Sequence, residues 1–484
     1  MAISRFFTSL LAAAAIAIPA FADSAGTVSL DSCRSMALAN NKNIRVAEAN
    51  LKGAGYERKA AFASYLPGID FAGGYMYNHQ QIELLGEDAK LPTMTFDPAT
   101  QKYIYNILVN PTDMKPVLDP ATGQPIPLEV AVIPKEAMSY DTHNVFAGAF
   151  ILTQPIFMGG KLKALNDIAK YGENVARSSR NALVQEVTYQ VDEAYWLVVS
   201  LKEKKRLADS FVVLMDSLNR SVHLLMQNGM ATKADVLNVE VKLNEAKIAQ
   251  TKVDNGLSLS RMALAQICGL PIDTQMTLSD EDLRPSSGPQ HIPDFNLQDV
   301  YSRRQDLEVI RQGINVLKGR EKLVLGEMLP NIAAVGMYSF SNPNVNHGFE
   351  KKFGGGFSVG ATLTIPLWHW GGRFNHYKAA QTATAASKLM LEDAEEKVQL
   401  QVNQARFKFN EAFKTLDMTR TNLDKSDENL RQAQLAFKEG VMTADDVIGA
   451  QTAWLQAHSE YVDAEIGVRL CDVYLSKTLG LLNY

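Results

Sequence analysis

From residue 373 to residue 439 the chain contains neither glycine nor proline, a run of 67 residues. Glycine and proline are the strongest helix breakers, so nothing inside this run stops a helix. At a rise of about 1.5 Å per residue it would be roughly 100 Å long. Ordinary globular helices end by about 20 residues, so one this long needs lengthwise packing against others. The apolar pattern agrees. Leu391, Ala394, Val398, Val402, Ala405, Phe409, Ala412, Leu416, Thr419, Leu423, Ser426, Leu430, Ala433 and Phe437 succeed one another by threes and fours, with a mean step of 3.54 residues. That is close to the 3.5 that winds helices into a left-handed coil. An earlier run, residues 161 to 228, is interrupted only by Gly172.

The two runs belong to two copies of one design. "YLPGI" at 65–69 parallels "MLPNI" at 328–332, and "TQPIFMGGKL" at 153–162 parallels "TIPLWHWGGRF" at 364–374. "NGMATKADVL" at 228–237 parallels "EGVMTADDVI" at 439–448, with Gly229 and Gly440 separated by 211 residues, as are Gly269 and Gly480. The domains expected are therefore a first repeat over 23–271, a linker over 272–294 rich in proline, serine and acid, and a second repeat over 295–484.

Short segments of a different kind precede each long run. In "FSVGATLTI" (357–365) the residues Phe357, Val359, Ala361, Leu363 and Ile365 share one face, and in "GIDFAGGYMY" (68–77) Ile69, Phe71, Tyr75 and Tyr77 do. "NIAAVGMYSF" (331–340) and "NVFAGAFILT" (144–153) have the same length. A period of two marks a strand with two unlike faces. About 9–11 residues is also what a strand needs to cross a bilayer. Trp368 and Trp370 at one strand end, with Tyr75 and Tyr77 in another strand, suit a membrane-interface girdle, where amphipathic rings gather. Gly371 and Gly372, like Gly159 and Gly160, suit an elbow between strand and helix, since glycine bends without a Cβ clash. Four strands cannot close a barrel, for which about eight are the minimum, so the barrel must be shared between chains.

The N-terminus reads as an export signal. Arg5 precedes an apolar run from Phe6 to Ile18, and Ala20-Phe21-Ala22 supplies a cleavage site, giving a signal peptide over 1–22. The run is too short to span a bilayer as a helix. A net charge of −5 gives no basic field for nucleic acid. Three cysteines, Cys33, Cys268 and Cys471, an odd number, lie far apart without a C-x-x-C, which rules out a disulfide framework and argues against zinc. His369, between the two tryptophans, lacks a second ligand at strand or helix spacing, so no metal is expected. There is no phosphate-binding G-x-x-x-x-G-K, no H-E-x-x-H and no G-x-S-x-G. The expectation is a protein that is not an enzyme and carries no cofactor.

A duplicated helix–strand–strand–helix chain with LP-x-I before a strand, GG-K/R after one and G-x-x-T-x-x-D-V at a helical turn resembles the TolC-type outer-membrane efflux proteins. The resemblance implies a mainly α fold with a small β part. In that family three protomers, four strands each, share a transmembrane β-barrel of 12 strands, continued as a long α-helical barrel of 12 helices through the periplasm. A periplasmic adaptor and an inner-membrane transporter dock at its tip. It further implies an outer-membrane location and a passive exit duct for small-molecule efflux, or for type I protein secretion with an ABC transporter. The departure is a first strand–strand loop of 88 residues from Pro67 to Pro155, against 36 from Pro330 to Pro366, with eight prolines between 92 and 134 and "DPAT" at both 97 and 119. A periplasmic coiled-coil adaptor would share the hairpins but not the strands. A surface enzyme on a helical stalk would need a catalytic set in residues 78–143, where only His79 and His143 stand out.

The turn motif has two readings. Gly229 and Gly440 suit the left-handed position that ends a helix. Thr232 and Thr443 suit the next N-cap, with Asp235 and Asp446 completing a capping box. By the resemblance, Gly229, Met230, Ala231 and Thr232 with Gly440, Val441, Met442 and Thr443 would form the adaptor-contacting tip. Asp445, Asp446 and Asp235 would line the periplasmic entrance, where carboxylates crowded by three-fold symmetry would raise one another's pKa.

Overall fold

The computed structural model describes residues 27–281, 295–348 and 350–482. The expected signal peptide and residues 282–294 of the expected linker lie outside them. In chain order, helices α1 (Leu30–Asn40) and α2 (Lys42–Ala63) lead into strand β1 (Gly68–Tyr77). Six short strands follow, β2 (Ile82–Glu83), β3 (Ala89–Pro92), β4 (Met94–Asp97), β5 (Lys102–Tyr105), β6 (Val130–Ile133) and β7 (Ser139–Tyr140), before β8 (Asn144–Met158). Helices α3 (Lys161–Gln227) and α4 (Lys233–Ile267) complete the first repeat. The second has α5 (Leu297–Arg303), α6 (Gln305–Gly326), β9 (Asn331–Asn342), β10 (Gly354–Thr364), α7 (Gly372–Lys438) and α8 (Ala444–Thr478). Every boundary of α7 and α8 falls 211 residues after its counterpart in α3 and α4. Gly172 does not break α3, since a lone glycine costs a helix only about 1 kcal/mol.

The described chain forms two compact units, one of them holding Arg58–Ile168 and Lys318–Gln381 and the other the remaining, helical residues. In the helical unit the seam read from sequence is the buried side of α7. Val398, Val402, Ala405, Phe409, Thr419, Ser426, Leu430 and Ala433 are buried, and the other six seam positions are half-buried. Thr419 and Ser426 settle there by returning their hydroxyls to the carbonyls of Leu416 and Leu423 (3.0 and 2.8 Å). On α3 the buried residues Val184, Val187, Val191, Tyr195 and Val198 step by threes and fours against α1 and the end of α4. The same core takes Met276 and Leu278 from the segment expected as linker. Leu278 bridges to Val28, and buried Glu281 accepts from Arg261 at 2.7 Å. Residues 272–281 are thus no free tether, because two apolar residues two apart and one paired acid fasten them down.

The other unit is built on one antiparallel sheet in the order β1-β8-β9-β10. Its register puts Phe71 opposite Phe150, Phe150 opposite Tyr338 and Tyr338 opposite Phe357, so these rings share a face. Ile69, Tyr75, Phe146, Leu152, Val359 and Leu363 fall on it too, and it is exposed along its length, Phe357 to 84% and Val359 to 79%. The opposite face carries small and polar residues such as Ala72, Gly74, Ala149, Ser339, Ser358 and Thr362. Pro155 is accommodated in β8 by a bulge, Ile156 being the extra residue. Among the described residues no helix is long and apolar enough to cross a membrane.

The proline-rich insertion, expected only as a loop, is a set of hairpins. β2 pairs with β7, β3 with β6 and β4 with β5. Three tips share one design, in "DPATQ" (97–101), "NPTDM" (110–114) and "DPATG" (119–123). In each, the leading Asp97, Asn110 or Asp119 accepts from the backbone N–H two residues on (2.9, 3.0 and 2.9 Å). Proline then presets the turn, and the fifth residue adopts positive φ: Gln101 at 50°, Met114 at 52° and Gly123 at 67°. The prolines therefore punctuate strands here.

The seam carries the long helix. Replacing Phe409, 1% exposed, with alanine should destabilise the helical unit by about 3–5 kcal/mol. Denaturant unfolding of the purified protein followed by circular dichroism measures it, and Phe407→Ala, 65% exposed in the single chain, provides the comparison.

Candidate functional site

Two features repeat in both halves: the turns joining the long helices, and the elbows from which those helices start. At the turns, Gly229 and Gly440 adopt φ of 71° and 74°. The next N–H groups return to the helix, Met230 to Leu225 and Val441 to Ala436, both at 2.8 Å, while the glycine N–H groups reach Met226 and Phe437. This satisfies the last carbonyls of α3 and α7. Thr232 and Thr443 then cap α4 and α8 in complete capping boxes. Asp235 Oδ2 accepts from Thr232 N and Oγ1 (2.7 and 2.8 Å), and Asp446 Oδ2 accepts from Thr443 N and Oγ1 (2.9 and 2.7 Å).

These bonds set the carboxylate chemistry. Hydrogen bonds from the Thr232 N–H and hydroxyl hold Asp235 below the usual carboxylate range. Those from the Thr443 hydroxyl and N–H do the same for Asp446. The upward shift expected of crowded carboxylates is therefore not what one chain displays, because each acid is spent on its own helix N-terminus. Asp445 points elsewhere. Its Oδ1 accepts from Asn238 Nδ2 of α4 at 2.5 Å, joining the two turns. Beneath them Val236, Val239, Val447 and Ile448 share one core. Met230, Val441 and Met442 stay exposed, Val441 to 79%, and Ala231 is half-buried. Asn238 went unnoticed in the sequence, since only the packing of α4 beside α8 brings it to Asp445.

The elbows differ from the expected glycine-pair match. In the first, Gly159 and Gly160 have φ of 61° and 80°. In the second the positive pair is Trp370 and Gly371, at 51° and 74°, and Gly372 is already the first residue of α7. "PLWHWGG" holds one more residue between proline and glycines than "PIFMGG", so Trp370 takes the place of Gly159. Gly159 also faces a wall: a Cβ there would lie 2.5 Å from the Gly326 carbonyl oxygen, whereas one on Gly372 would meet nothing. Arg373 donates to the Glu327 carbonyl and ties the second elbow to the end of α6.

The four aromatics expected at a membrane interface, Tyr75, Tyr77, Trp368 and Trp370, are exposed and divide between the two ends of the sheet. Tyr75 and Tyr77 lie toward the end of β1 nearest the insertion, Tyr77 opposite Asn144, and Tyr75 donates to Asn144 at 2.8 Å. Trp368 and Trp370 follow β10 beyond its other end, with rings 5.9 Å apart and nearly perpendicular. The ends are about 30 Å apart along a strand, the thickness of a bilayer's hydrocarbon core. Among the described residues no cluster of three His, Cys, Asp or Glu could hold a metal ion.

An apolar-faced sheet open at both edges, carried with hairpins of 67- and 35-residue helices, defines the class of outer-membrane channel chains. The outer membrane efflux protein family model matches residues 129–270 and 296–480, and the chain belongs to that family. Outer membrane efflux protein BepC of Brucella suis is 23% identical over 321 residues, 64% of this chain and 66% of that protein's length. The match thus spans just under two thirds of this relative. The open-state outer membrane channel MtrE of Neisseria gonorrhoeae superposes with a TM-score of 0.70 at 16% identity, covering 93% of this chain and 88% of that one. The outer membrane protein VceC of Vibrio cholerae does so with 0.69 at 13%, covering 93% and 96%. Family and fold are those of channels, not of enzymes.

Two outcomes follow from this geometry. Gly159→Ala should block membrane assembly, since it adds both backbone strain and a clash, while Gly372→Ala should leave it unchanged; the yield of heat-resistant oligomer in outer-membrane fractions measures both. A depressed carboxylate pKa contributes stability above the unfolded value, near 3.8, and loses it as the pH falls through the lower folded value. The stability difference between wild type and Asp446→Asn should therefore be constant from neutral pH to about pH 5 and shrink only below about pH 4, as read from melting curves across pH.

Proposed function

We propose that the protein is the passive outer-membrane exit duct of a tripartite efflux or secretion system, and that it works as a homotrimer. The observation that carries this reading is the sheet. It has one exposed apolar face and two unpaired edges, β1 and β10, and in lipid such edges must be paired. Three copies would supply twelve strands and close the barrel edge to edge. The export signal read from the sequence and the family's outer-membrane setting agree with this location. Substrate would pass from an inner-membrane transporter, through a periplasmic adaptor, into the tunnel formed by the long helices. The exposed turn residues 229–232 and 440–443 would meet the adaptor.

Asp445, Asp446 and Asp235 would set the charge of the entrance. Three copies of each acid in a narrow opening attract cations and repel anions. The capping bonds keep Asp235 and Asp446 ionised, so the charge would persist at any physiological pH.

Single channels in planar bilayers test the reading. The wild-type protein, purified in detergent as a trimer by light scattering, should conduct with cation preference. Asp446→Asn and Asp445→Asn should each lower that preference, and Asp446→Asn retains an oxygen to accept from Thr443. A stable monomer with full strand content would defeat the shared barrel. Unchanged selectivity in correctly assembled variants of all three acids would defeat the entrance role alone.

A further inference from the structure

The three cysteines lie far apart in the sequence, but the fold brings two of them together. Cys33 sits on α1, and Cys268 caps the C-terminus of α4, 235 residues later. Both are thiols here, both are 0% exposed, and both belong to one core with Ala37, Val191 and Leu264. Cys268 Sγ lies 3.6 Å from the Cys33 carbonyl oxygen, and the two thiols interact directly, the contact holding Cys33 below the ordinary thiol range. The surrounding backbone is held in place. Asn41 Nδ2 donates to the Ile267 carbonyl at 2.9 Å, and Asp192 accepts twice from the Arg34 guanidinium at 2.7 and 2.6 Å. A Cβ on Gly269 would lie 2.7 Å from Asn40, so α1 and the end of α4 are as close as glycine allows.

We propose that Cys33 and Cys268 are joined by a disulfide in the exported protein. This rests on the export reading above, because disulfides form and persist in the oxidising compartment outside the inner membrane. The oxidant is a thiol–disulfide oxidoreductase carrying its own disulfide. One cysteine thiolate attacks a sulfur of that disulfide, forming a mixed disulfide and releasing one oxidant thiolate. The second cysteine thiolate then attacks the chain's sulfur in the mixed disulfide, forming the Cys33–Cys268 bond and releasing the other oxidant thiolate. Two S–H bonds are lost from the chain, and two electrons and two protons pass to the oxidant. Because neither sulfur is exposed once the core has formed, exchange takes place on the incompletely folded chain. The bond then resists reduction for the same reason. It fastens α1, the first described helix, and closes a loop containing all the strands of the first repeat, β1 to β8.

Cys471 serves as an internal control. It is half-buried on α8 and packs against a different cluster, with Phe409 and Leu475. The test begins with cells lysed into N-ethylmaleimide and denaturant, so that every free thiol is blocked. The full chain is recovered from the outer-membrane fraction, reduced, and labelled with a polyethylene-glycol maleimide that retards it on a gel. Wild type should gain two labels after reduction and none before it, and peptide mapping should join the Cys33 and Cys268 peptides. Cys471→Ser should still gain two, and Cys33→Ser should gain none. A wild-type chain from the outer membrane that gains no label would overturn the disulfide and leave the channel reading intact. Labels lost in Cys471→Ser, or Cys33 or Cys268 linked to another chain, would also overturn it. A chain that never reaches the outer membrane would overturn both readings. The wild-type result decides the matter even if the Cys33 variant fails to fold.

Discussion

A strand in hydrocarbon can send its backbone hydrogen bonds only to another strand. That requirement governs what this chain can do. Its sheet has four strands and two free edges, and the face bearing Phe71, Phe150 and Phe357 is exposed among the described residues. In water such edges would be a liability, inviting unspecific pairing. Each alternative remedy, a covering helix or a charged edge, would obstruct closure into a barrel. Glycine is instead frequent on the face of β10 opposite Phe357 and Val359, where Gly354, Gly356 and Gly360 lie.

The second constraint is length. From elbow to turn each repeat has a helix of 67 residues, and from turn to its far end one of 35. A single added residue in either helix would rotate every later seam position by about 100° and take it out of the core. The 211-residue spacing of all these boundaries preserves the match between two sequences that otherwise differ widely. The repeats vary freely where spacing does not matter, in the insertion between β1 and β8 above all. That segment is nested hairpins built on one Asx-Pro turn, and it lengthens the first repeat without touching either helix.

What could be read in the sequence was what is periodic. The fourteen-position seam of α7 emerged because burial recurs every three or four residues, and β1 emerged at its full extent because its faces alternate. Local chemistry was legible too, as in the Thr232 and Thr443 caps. What escaped depends on distance in space. Residues 272–281 have a linker's composition, yet Met276 and Leu278 find a core supplied by α1 and α3. Nothing in the spacing of Cys33 and Cys268 announces that α1 meets the end of α4. The prolines of the insertion masked its strands because proline disrupts a ladder in general but starts a tight turn when it follows Asp or Asn. At the second elbow the glycine pair does not coincide with the left-handed positions, which fall on Trp370 and Gly371.

The two turns also separate what the fold needs from what it does not. With the 211-residue offset, Thr443 corresponds to Thr232 and Asp446 to Asp235, and each pair makes the same capping box. A feature kept in both repeats with identical bonding is accounted for by helix ends alone, which must satisfy their first N–H groups wherever they lie. Asp445 corresponds to Ala234, and its partner Asn238 corresponds to Gly449. The Asn238–Asp445 bond therefore exists once per chain, between repeats and not within either. It places a second acid beside Asp446 that no cap demands. Capping accounts for Asp446, whereas Asp445 is held by the first turn of α8 and by Asn238 of the other repeat, a pairing that the duplication does not copy.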